Sequence, residues 1–375
     1  MIADGQRRRG WRRVRARMMA LGGLLAVAAC AVWARGEPSA EGQCRLRIAC
    51  FNAENLAAPG EQTRLTRFRF EPARRRHLEQ VAAVVEALAP DIVVMPEVVS
   101  RQGVEAVAAI LAEKGMQGYV GYHVDGGDAF TGFDVAVLSR IVPDEVEGGR
   151  IHIHVPARRS ARTGRGQPAA EGGAEGEDDW LRATYTSVDD RGETREEVAV
   201  LQRHAVVYFT VCGRKIGLLG LHLKSNPSDA AANAQRSAEV RIAREIIRRR
   251  IVAEGYLPVV LGDLNDYDPD VPMADVVRKT QTTVLRDLKD YDGSQPGSEL
   301  VNAAAFMPRV ADRYSSHWDF NENGAADGED VFTMIDHVLL HRDLERAVER
   351  AFICHATSLD ISDHFPVVVD LDLRK

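Results

Sequence analysis

Short apolar runs rich in β-branched residues alternate along this chain with amphipathic segments of helical period, and this alternation limits the folds open to it. Residues 45–51 alternate like a strand, and residues 91–95 form a short buried run. Between them, apolar side chains recur at intervals of three and four through residues 72–89, which predicts a helix that Pro90 ends. Strands that alternate with helices predict a layered α/β sheet protein.

The same two patterns continue to the C-terminus. They predict helices over residues 100–114 and 228–254, and strands over residues 119–124, 133–138, 198–212, 215–221, 257–261, 331–340 and 367–373. A chain of 375 residues with 45% hydrophobic residues can bury a full core. We therefore expect one globular domain over residues 45–375.

One segment of this domain departs from the pattern. Residues 156–197 are rich in Arg, Gly, Glu and Asp and poor in aliphatic residues, which predicts a flexible insertion. Such a charged insertion could contact a substrate or partner. The alternative is a surface insertion without a function, which the fold tolerates.

The N-terminus has the pattern of a bacterial export signal over residues 1–34, followed by a polar linker over residues 35–44. Seven arginines precede an uncharged run of 17 residues that begins at Met18. Val27 to Cys30 resembles a lipobox with cleavage before Cys30, whereas Val32 to Ala34 offers an ordinary small-residue cleavage site. A retained anchor is the second choice, because the run barely spans a bilayer. We expect a periplasmic, lipoprotein-anchored or secreted protein.

The charge excludes a general polyanion-binding protein. The net charge of the chain is −7, and it becomes −13 when the first 30 residues, with seven Arg and one Asp, are set aside. Such a body repels phosphate backbones, so any nucleic-acid binding must be local and assisted by a metal ion.

Four cysteines remain if Cys30 is lipidated or removed with the signal: Cys44, Cys50, Cys212 and Cys354. In an oxidising compartment they could form two disulfides in any of three pairings, among which the sequence does not choose. Buried thiols that act as small hydrophobes are the alternative.

Asn, Asp, Glu and His side chains follow several of the predicted strands. A single strand-terminal Asp or Asn is usually a turn residue, but repeated ones can converge in one cleft at the edge of a rigid sheet. The set comprises Asn52, Glu97, His222, Asp263 with Asn265, and Asp363 with His364.

These residues resemble the motifs of the endonuclease/exonuclease/phosphatase superfamily, which includes pancreatic-type DNases, abasic-site endonucleases, inositol polyphosphate phosphatases and neutral sphingomyelinases. The likeness covers about residues 45–373, although the family usually has Gln where Pro96 stands. It implies a four-layered α/β sandwich of two mixed β-sheets with helices outside. The motifs that carry it are Phe51-Asn52, 90–98, 221–225, Gly262-Asp263-Leu264-Asn265, 335–337 and Ser362-Asp363-His364-Phe365-Pro366.

The resemblance implies a site for Mg²⁺ or Mn²⁺, because its ligands are hard oxygens and it lacks the thiolates that favour zinc. Glu97 is the principal expected ligand, with Asn52 close by and Asp363 contributing through water. His364 is the expected general base, and Asp336 matches the family position that holds its other ring nitrogen.

Three further residues have roles implied by the same resemblance. Asp263 is expected to orient the attacking water and Asn265 to hold a non-bridging phosphoryl oxygen. His222 is expected to protonate the leaving group or stabilise the pentacovalent state, with a satisfied strand-end histidine as the alternative. His337 should point to the opposite face of its strand, outside catalysis.

A second motif resembles the twelve-residue calcium loop and matches it at positions 1, 3, 5, 6 and 9. Asp330 stands where a bidentate Glu usually sits, and the flanks are typical of strands rather than helices. A solvated loop is the alternative. The candidate ligands are Asp319, Asn321, Asn323, Ala325, Asp327 and Asp330.

The sequence therefore predicts an exported, divalent-metal-dependent phosphodiester hydrolase, with nuclease activity on DNA or RNA as the leading hypothesis. A phospholipase C acting on sphingomyelin and an inositol-phosphate phosphatase are alternatives on the same fold. A binding protein without activity is disfavoured, because all the expected catalytic side chains are present. Substrate, endo or exo cleavage, metal count, disulfide pairing, signal cleavage site and oligomeric state stay open.

Overall fold

The computed structural model describes most of the predicted domain. The export signal, Cys30 and all of the linker except Cys44 lie outside the described residues, as does much of the predicted insertion. Within the part that is described, no helix is both long and apolar enough to cross a membrane. The described residues are 44–62, 73–156, 178–188, 191–274, 282–321, 323–324 and 327–375.

The strands and helices follow the predicted alternation. The strands are β1 (Arg45–Cys50), β2 (Ile92–Val98), β3 (Val120–Tyr122), β4 (Asp134–Ser139), β5 (Ala183–Val188), β6 (Thr194–Ala199), β7 (His204–Val211), β8 (Arg214–His222), β9 (Leu257–Asp263), β10 (Leu300–Asn302), β11 (Ser316–Trp318), β12 (Val331–Thr333), β13 (Asp336–His341), β14 (Val348–Ile353) and β15 (Val367–Asp372). The α-helices are α1 (Arg75–Leu88), α2 (Arg101–Glu113), α3 (Ala230–Ile246) and α4 (Val284–Lys289). A π-helical turn, Ile247–Val252, extends α3, and short 3₁₀ turns span Asp179–Leu181, Ala303–Phe306, Val310–Asp312 and Arg342–Ala347.

Two mixed sheets form the centre of the molecule. The first has six strands in the order β14-β15-β1-β2-β4-β3, with β1 parallel to β2 and antiparallel to β15. The second has five strands in the order β10-β13-β9-β8-β7, with β8 parallel to β9. The near-continuous apolar strands at the centre of each sheet are typical of strands buried on both faces.

The inner faces of the two sheets pack against each other, and helices cover the outer faces. Val94 and Val369 of the first sheet share one buried cluster with Leu218 and Val338 of the second. Helices α1 and α2 bury their apolar faces on the first sheet, and α3 buries its own on the second. The predicted four-layered α/β sandwich is confirmed.

Several segments differ from the prediction. The strand predicted over residues 331–340 is divided into β12 and β13, and the one over residues 198–212 into the end of β6 and β7. The helix predicted over residues 228–254 is α-helical only over Ala230–Ile246, and its last turn is the π-helix. Within the predicted flexible insertion, β5 and β6 pair as a hairpin. Alternate residues of β5 are exposed and half-buried, so this hairpin lies on the surface of the domain, where it contacts α3.

Among the described residues, one disulfide ties the start of the domain to the turn after β7. Cys44 bonds to Cys212, with their Cα atoms 5.7 Å apart, whereas Cys50 and Cys354 are buried thiols. One pair of cysteines therefore forms a disulfide, as the first hypothesis allowed. The other two cysteines are buried thiols, as the alternative predicted.

Candidate active site

Strand register brings the predicted residues to one edge of the sandwich. The parallel strands β8 and β9 end side by side at His222 and Asp263. Strand β13 runs the other way, so that its first residue, Asp336, pairs with Asp263. In the first sheet, β2 carries Glu97 at a register shift, and Asn52 follows the end of β1.

The backbone is unusual at three of these points. Gly262 has φ 146°, and a Cβ built on it would lie 1.9 Å from the Leu221 carbonyl oxygen. Glu97 and Asn265 have φ 62° and 50°, a left-handed conformation that non-glycine residues rarely adopt. Such backbone is costly and often occurs where side-chain direction serves function.

His364 is oriented by a carboxylate and a hydroxyl. Its Nδ1 lies 2.7 Å from Oδ2 of Asp336, and that oxygen also accepts a hydrogen bond of 2.8 Å from the Ser315 hydroxyl. Burial alone would lower the pKa of His364, but the Asp336, Asp263 and Asp363 carboxylates raise that pKa well above its usual value. Its Nε2 points toward Asp263, 3.8 Å from Oδ2.

Glu97 and Asp263 form the acidic side of the site. The amide of Asn52 donates to Glu97 Oε1 at 3.1 Å and to Asp263 Oδ2 at 3.2 Å. Burial raises the pKa of both carboxyls; for Asp263 the Asp336 charge raises it further, and for Glu97 the Asp363 charge does so. A cation bound between these neighbouring carboxyls would favour their ionised forms.

The donor set fits a divalent metal ion. Two groups of three side chains each bring one possible ligand atom per residue within 4.8 Å of one another. The groups are Glu97, His222 and Asp263, and Asp263, Asp336 and His364. One Asp336 oxygen, Oδ1, is buried without a hydrogen-bond partner. Carboxylate oxygens with one imidazole suit Mg²⁺ or Mn²⁺.

His222 lies opposite His364 across this acidic side. Its Nε2 is 3.6 Å from Asp263 Oδ2 and 3.9 Å from Glu97 Oε1. Burial, followed by the charges of Arg203 and His364, lowers its pKa well below the usual value. This lowered pKa favours the neutral form of the His222 imidazole.

The other predicted residues lie around this centre. The Asn265 amide donates to the Leu223 carbonyl at 3.2 Å, which fixes it next to Asp263. Asp363 Oδ1 is 3.8 Å from His364 Nε2. His337 instead bonds to Asn302 and to the Asp266 carbonyl, so its ring lies away from the site.

The predicted calcium loop lies beside the site, between β11 and β12. The Asp319 carboxylate accepts from the backbone of Asn323 and Gly324, and the amides of Asn321 and Asn323 both reach Asp327 Oδ2. Asp330 pairs with His317 at 2.7 Å. Ala325 lies outside the described residues.

Three residues at the site were not predicted from the sequence. Arg203 precedes β7, and its carbonyl accepts from His222 N–H at 3.0 Å. Its charge lowers the pKa of Glu97 and of His222. Ser315 and Glu54 hold Asp336 and the Asp363 backbone, respectively. The predicted hairpin could have identified Arg203. In an antiparallel hairpin the start of β7 lies beside the end of β8, so a residue just before β7 lies near His222.

A two-sheet sandwich with carboxylates and a His–Asp pair at one edge defines the class of protein, a metal-dependent hydrolase of phosphoric esters. The model of the Endonuclease/Exonuclease/phosphatase family matches residues 50–364. The chain belongs to this family, in which dependence on divalent metal is typical. No curated protein sequence matches significantly.

Solved structures share the fold. The chain is similar to the 3′ phosphatase NExo from Neisseria bound to product DNA hairpin, with 18% identity over 87% of this chain and 99% of that one, and a TM-score of 0.52. It is also similar to an AP endonuclease from Archaeoglobus fulgidus, with 15% identity, 87% and 99% coverage and a TM-score of 0.51.

Proposed function

We propose that this protein is an exported, Mg²⁺- or Mn²⁺-dependent nuclease that hydrolyses phosphodiesters in DNA or RNA. The observation that carries the proposal is the Asp336–His364 pair, whose free ring nitrogen points across 3.8 Å at Asp263 beside Glu97. The DNA bound to the Neisseria 3′ phosphatase supports nucleic acid as the substrate class.

His364 is the general base in this proposal. Asp336 fixes the ring through Nδ1, so that Nε2 can take a proton from the attacking water. Asp263 accepts a hydrogen bond from the same water and orients it toward phosphorus. Ser315 keeps the Asp336 carboxylate in place by donating to the oxygen that His364 uses.

Asn265 and His222 stabilise the phosphoryl group. The Asn265 side chain binds a non-bridging oxygen, and Arg203 adds positive charge to that side of the site. The lowered pKa of His222 favours hydrogen-bond donation from a neutral imidazole to the pentacovalent state over full proton transfer.

Glu97 would hold the cation, with Asn52 beside it and Asp363 contributing through water. When bound, the cation would neutralise charge that develops on the phosphoryl oxygens and, by repelling a proton on His364, favour the neutral imidazole. The ordering of Glu97 by Asn52 and by the Asn55 N–H, at 3.2 Å, supports its role as the principal ligand.

A lipid phosphodiesterase of the sphingomyelinase type is the second candidate. Trp318 and Phe320 are 58% and 69% exposed, and the preceding His317 N–H bonds to the Asp363 carbonyl at 2.8 Å. Exposed aromatic side chains beside the catalytic loop could enter the surface of a lipid bilayer.

A substrate panel tests the proposal. The wild type, His364→Ala and the control His341→Ala, at the far end of β13 from Asp336, are assayed on plasmid DNA, RNA, sphingomyelin and bis-p-nitrophenyl phosphate, with Mg²⁺ or EDTA. We expect nucleic-acid hydrolysis by wild type and control alone, and only with Mg²⁺. Equal hydrolysis by His364→Ala would remove the base, and hydrolysis of lipid alone would favour the second candidate.

Export is part of the proposal. The Cys44–Cys212 disulfide suits an oxidising compartment and supports the signal-like N-terminus. Fractionation of cells that express the full chain should place the protein outside the cytoplasm, with its N-terminus at Cys30 if it is a lipoprotein. A cytoplasmic protein with its first residues intact would contradict export.

We also propose that the loop at residues 319–330 binds Ca²⁺. Asp319 and Asp327 converge there with the amides of Asn321 and Asn323, and Gly324 has the positive φ of 74° that the sharp turn needs. EDTA should lower the melting temperature, and Ca²⁺ but not Mg²⁺ should restore it. An unchanged melting temperature, or the same response in Asp319→Ala, would contradict calcium binding.

A further inference from the structure

A basic groove runs along α3 on the side that faces the β5–β6 hairpin. Its cavity has a volume of about 520 Å³, and a neighbouring cavity of about 710 Å³ shares much of its lining. We call it the arginine groove, and define it by Trp180, Arg182, Arg241, Arg244, Arg248 and Arg249.

The groove concentrates positive charge on an acidic protein. Five arginines line it together with one acidic residue, Glu245, which pairs with both Arg248 and Arg249. The guanidinium of Arg249 lies over the Trp180 ring, 5.4 Å from its centroid. Because the whole chain carries a net charge of −7, such a local excess of cations favours a polyanion.

Three of the arginines form an ordered row. Arg241, Arg244 and Arg248 lie three and four residues apart, so they share one helix face and span about 10 Å. Arg241 donates to the Thr184 carbonyl of β5, and Arg244 donates to the Tyr291 carbonyl at 3.3 Å. These contacts, together with the Arg248–Glu245 ion pair, hold the row in place before any ligand binds.

Adjoining cavities extend from the groove toward the catalytic centre. Arg182 also lines a cavity of about 590 Å³ that includes Gln202 and Gly127. Gly127 in turn lines a cavity of about 490 Å³ that includes Asp128. Gln202 directly precedes Arg203, whose carbonyl accepts from the His222 N–H at 3.0 Å. Val99, which lines the last cavity, follows the strand that carries Glu97. The series of cavities therefore runs from the groove to segments next to the site.

We propose that the arginine groove binds the phosphodiester backbone of a polynucleotide at nucleotides distant from the scissile bond. The proposal rests on the proposed nuclease function, and it specifies a long substrate that reaches along α3 for on the order of 20 Å. A concave, arginine-lined surface favours a strand over a membrane surface. The ring of Trp180 is covered by guanidinium groups rather than presented to lipid.

Charge removal tests the groove. In the triple variant Arg241→Gln/Arg244→Gln/Arg248→Gln, we expect kcat/KM for a long single strand to fall at least about tenfold, with bis-p-nitrophenyl phosphate hydrolysis unchanged. The slope of log Kd against log salt should decrease by about two, as expected for three lost phosphate contacts. The matched control replaces Arg75, Arg309 and Arg342, which are exposed and paired with acidic side chains elsewhere.

The outcomes separate the groove from the nuclease activity. A triple variant with unchanged kcat/KM and salt slope would overturn the groove, as would selective loss of binding to anionic vesicles. An Arg→Lys triple variant that keeps long-strand cleavage would support it even if the Gln variant is unstable. If the wild type cleaves no nucleic acid, the proposed function fails. The groove is then judged by strand binding alone: weaker binding by the triple variant supports it, and equal binding overturns it.

Discussion

His364 and Asp336 illustrate what one residue pair contributes at the site. Their bond of 2.7 Å fixes the imidazole, and the surrounding carboxylates make it a stronger base. The resemblance of the motifs named both residues. It did not name Ser315, because a serine before a short strand has no sequence pattern that separates a structural hydroxyl from an ordinary loop residue.

The pair predicts a defined pH dependence. A general base acts only when neutral, so activity should fall as the pH drops through the pKa of His364. Asp336 raises that pKa, and Asp336→Asn should therefore move the acid limb of kcat/KM to lower pH while kcat falls about 10²-fold or more. pH profiles at saturating Mg²⁺ measure both effects. An acid limb at the wild-type position would contradict the role of Asp336.

Replacing Arg203 should raise the pKa of His222, whereas replacing Asp336 should lower the pKa of His364. The positive charge of Arg203 lowers the pKa of His222, so Arg203→Gln should raise that pKa, and kcat/KM should fall roughly 10- to 100-fold. NMR titration of the metal-free protein follows the His222 ring, with exposed Arg195→Gln as the control. A His222 pKa that does not respond would show that Arg203 acts elsewhere.

At the scale of elements, the sequence predicted strand ends better than strand partners. The apolar run over residues 257–261 predicted the end of β9 to within two residues, because β9 continues to Asp263. The β5–β6 hairpin was missed because its strands are polar, and exposed positions in β6 outnumber buried ones. Without an apolar face, such a hairpin looks like loop in sequence.

The end of β9 makes a prediction about Gly262. A Cβ at this position would meet the Leu221 carbonyl at 1.9 Å, so Gly262→Ala should push β9 from β8 and displace Asp263. We expect a lower melting temperature and a loss of kcat larger than the loss of stability explains. Gly293→Ala is the control, because a Cβ there meets only the exposed Asp290 side chain, at 3.2 Å. Wild-type kcat in Gly262→Ala would contradict the account.

At the scale of the molecule, the layered sandwich could be predicted, but its cross-links could not. The alternation of strands and helices indicated the layers, whereas the Cys44–Cys212 bond depends on how β1 and β7 of different sheets approach each other. The arginine groove likewise depends on the hairpin that packs on α3.

Buried histidines predict how the stability of the whole fold changes with pH. Burial lowers the pKa of His77 to about 4, although its hydrogen bond to the Ile361 carbonyl partly opposes this. Because the unfolded chain binds the proton more readily, stability should fall as the pH drops from about 6.5 toward 4. His77→Gln should remove up to about 3 kcal/mol of this pH dependence. Urea titrations of the wild type and His77→Gln at both pH values measure the free energy of unfolding. The same decrease between the two pH values in both proteins would contradict the prediction.

The metal dependence of phosphodiester hydrolysis tests the central claim most directly. The rate of bis-p-nitrophenyl phosphate hydrolysis is measured against Mg²⁺ concentration for wild type and Glu97→Gln after treatment with EDTA. We predict no hydrolysis without added metal, recovery of the wild type with Mg²⁺, and a requirement for at least about tenfold more Mg²⁺ in Glu97→Gln. Full wild-type activity in EDTA, or identical Mg²⁺ curves for the two proteins, would contradict a metal site built on Glu97.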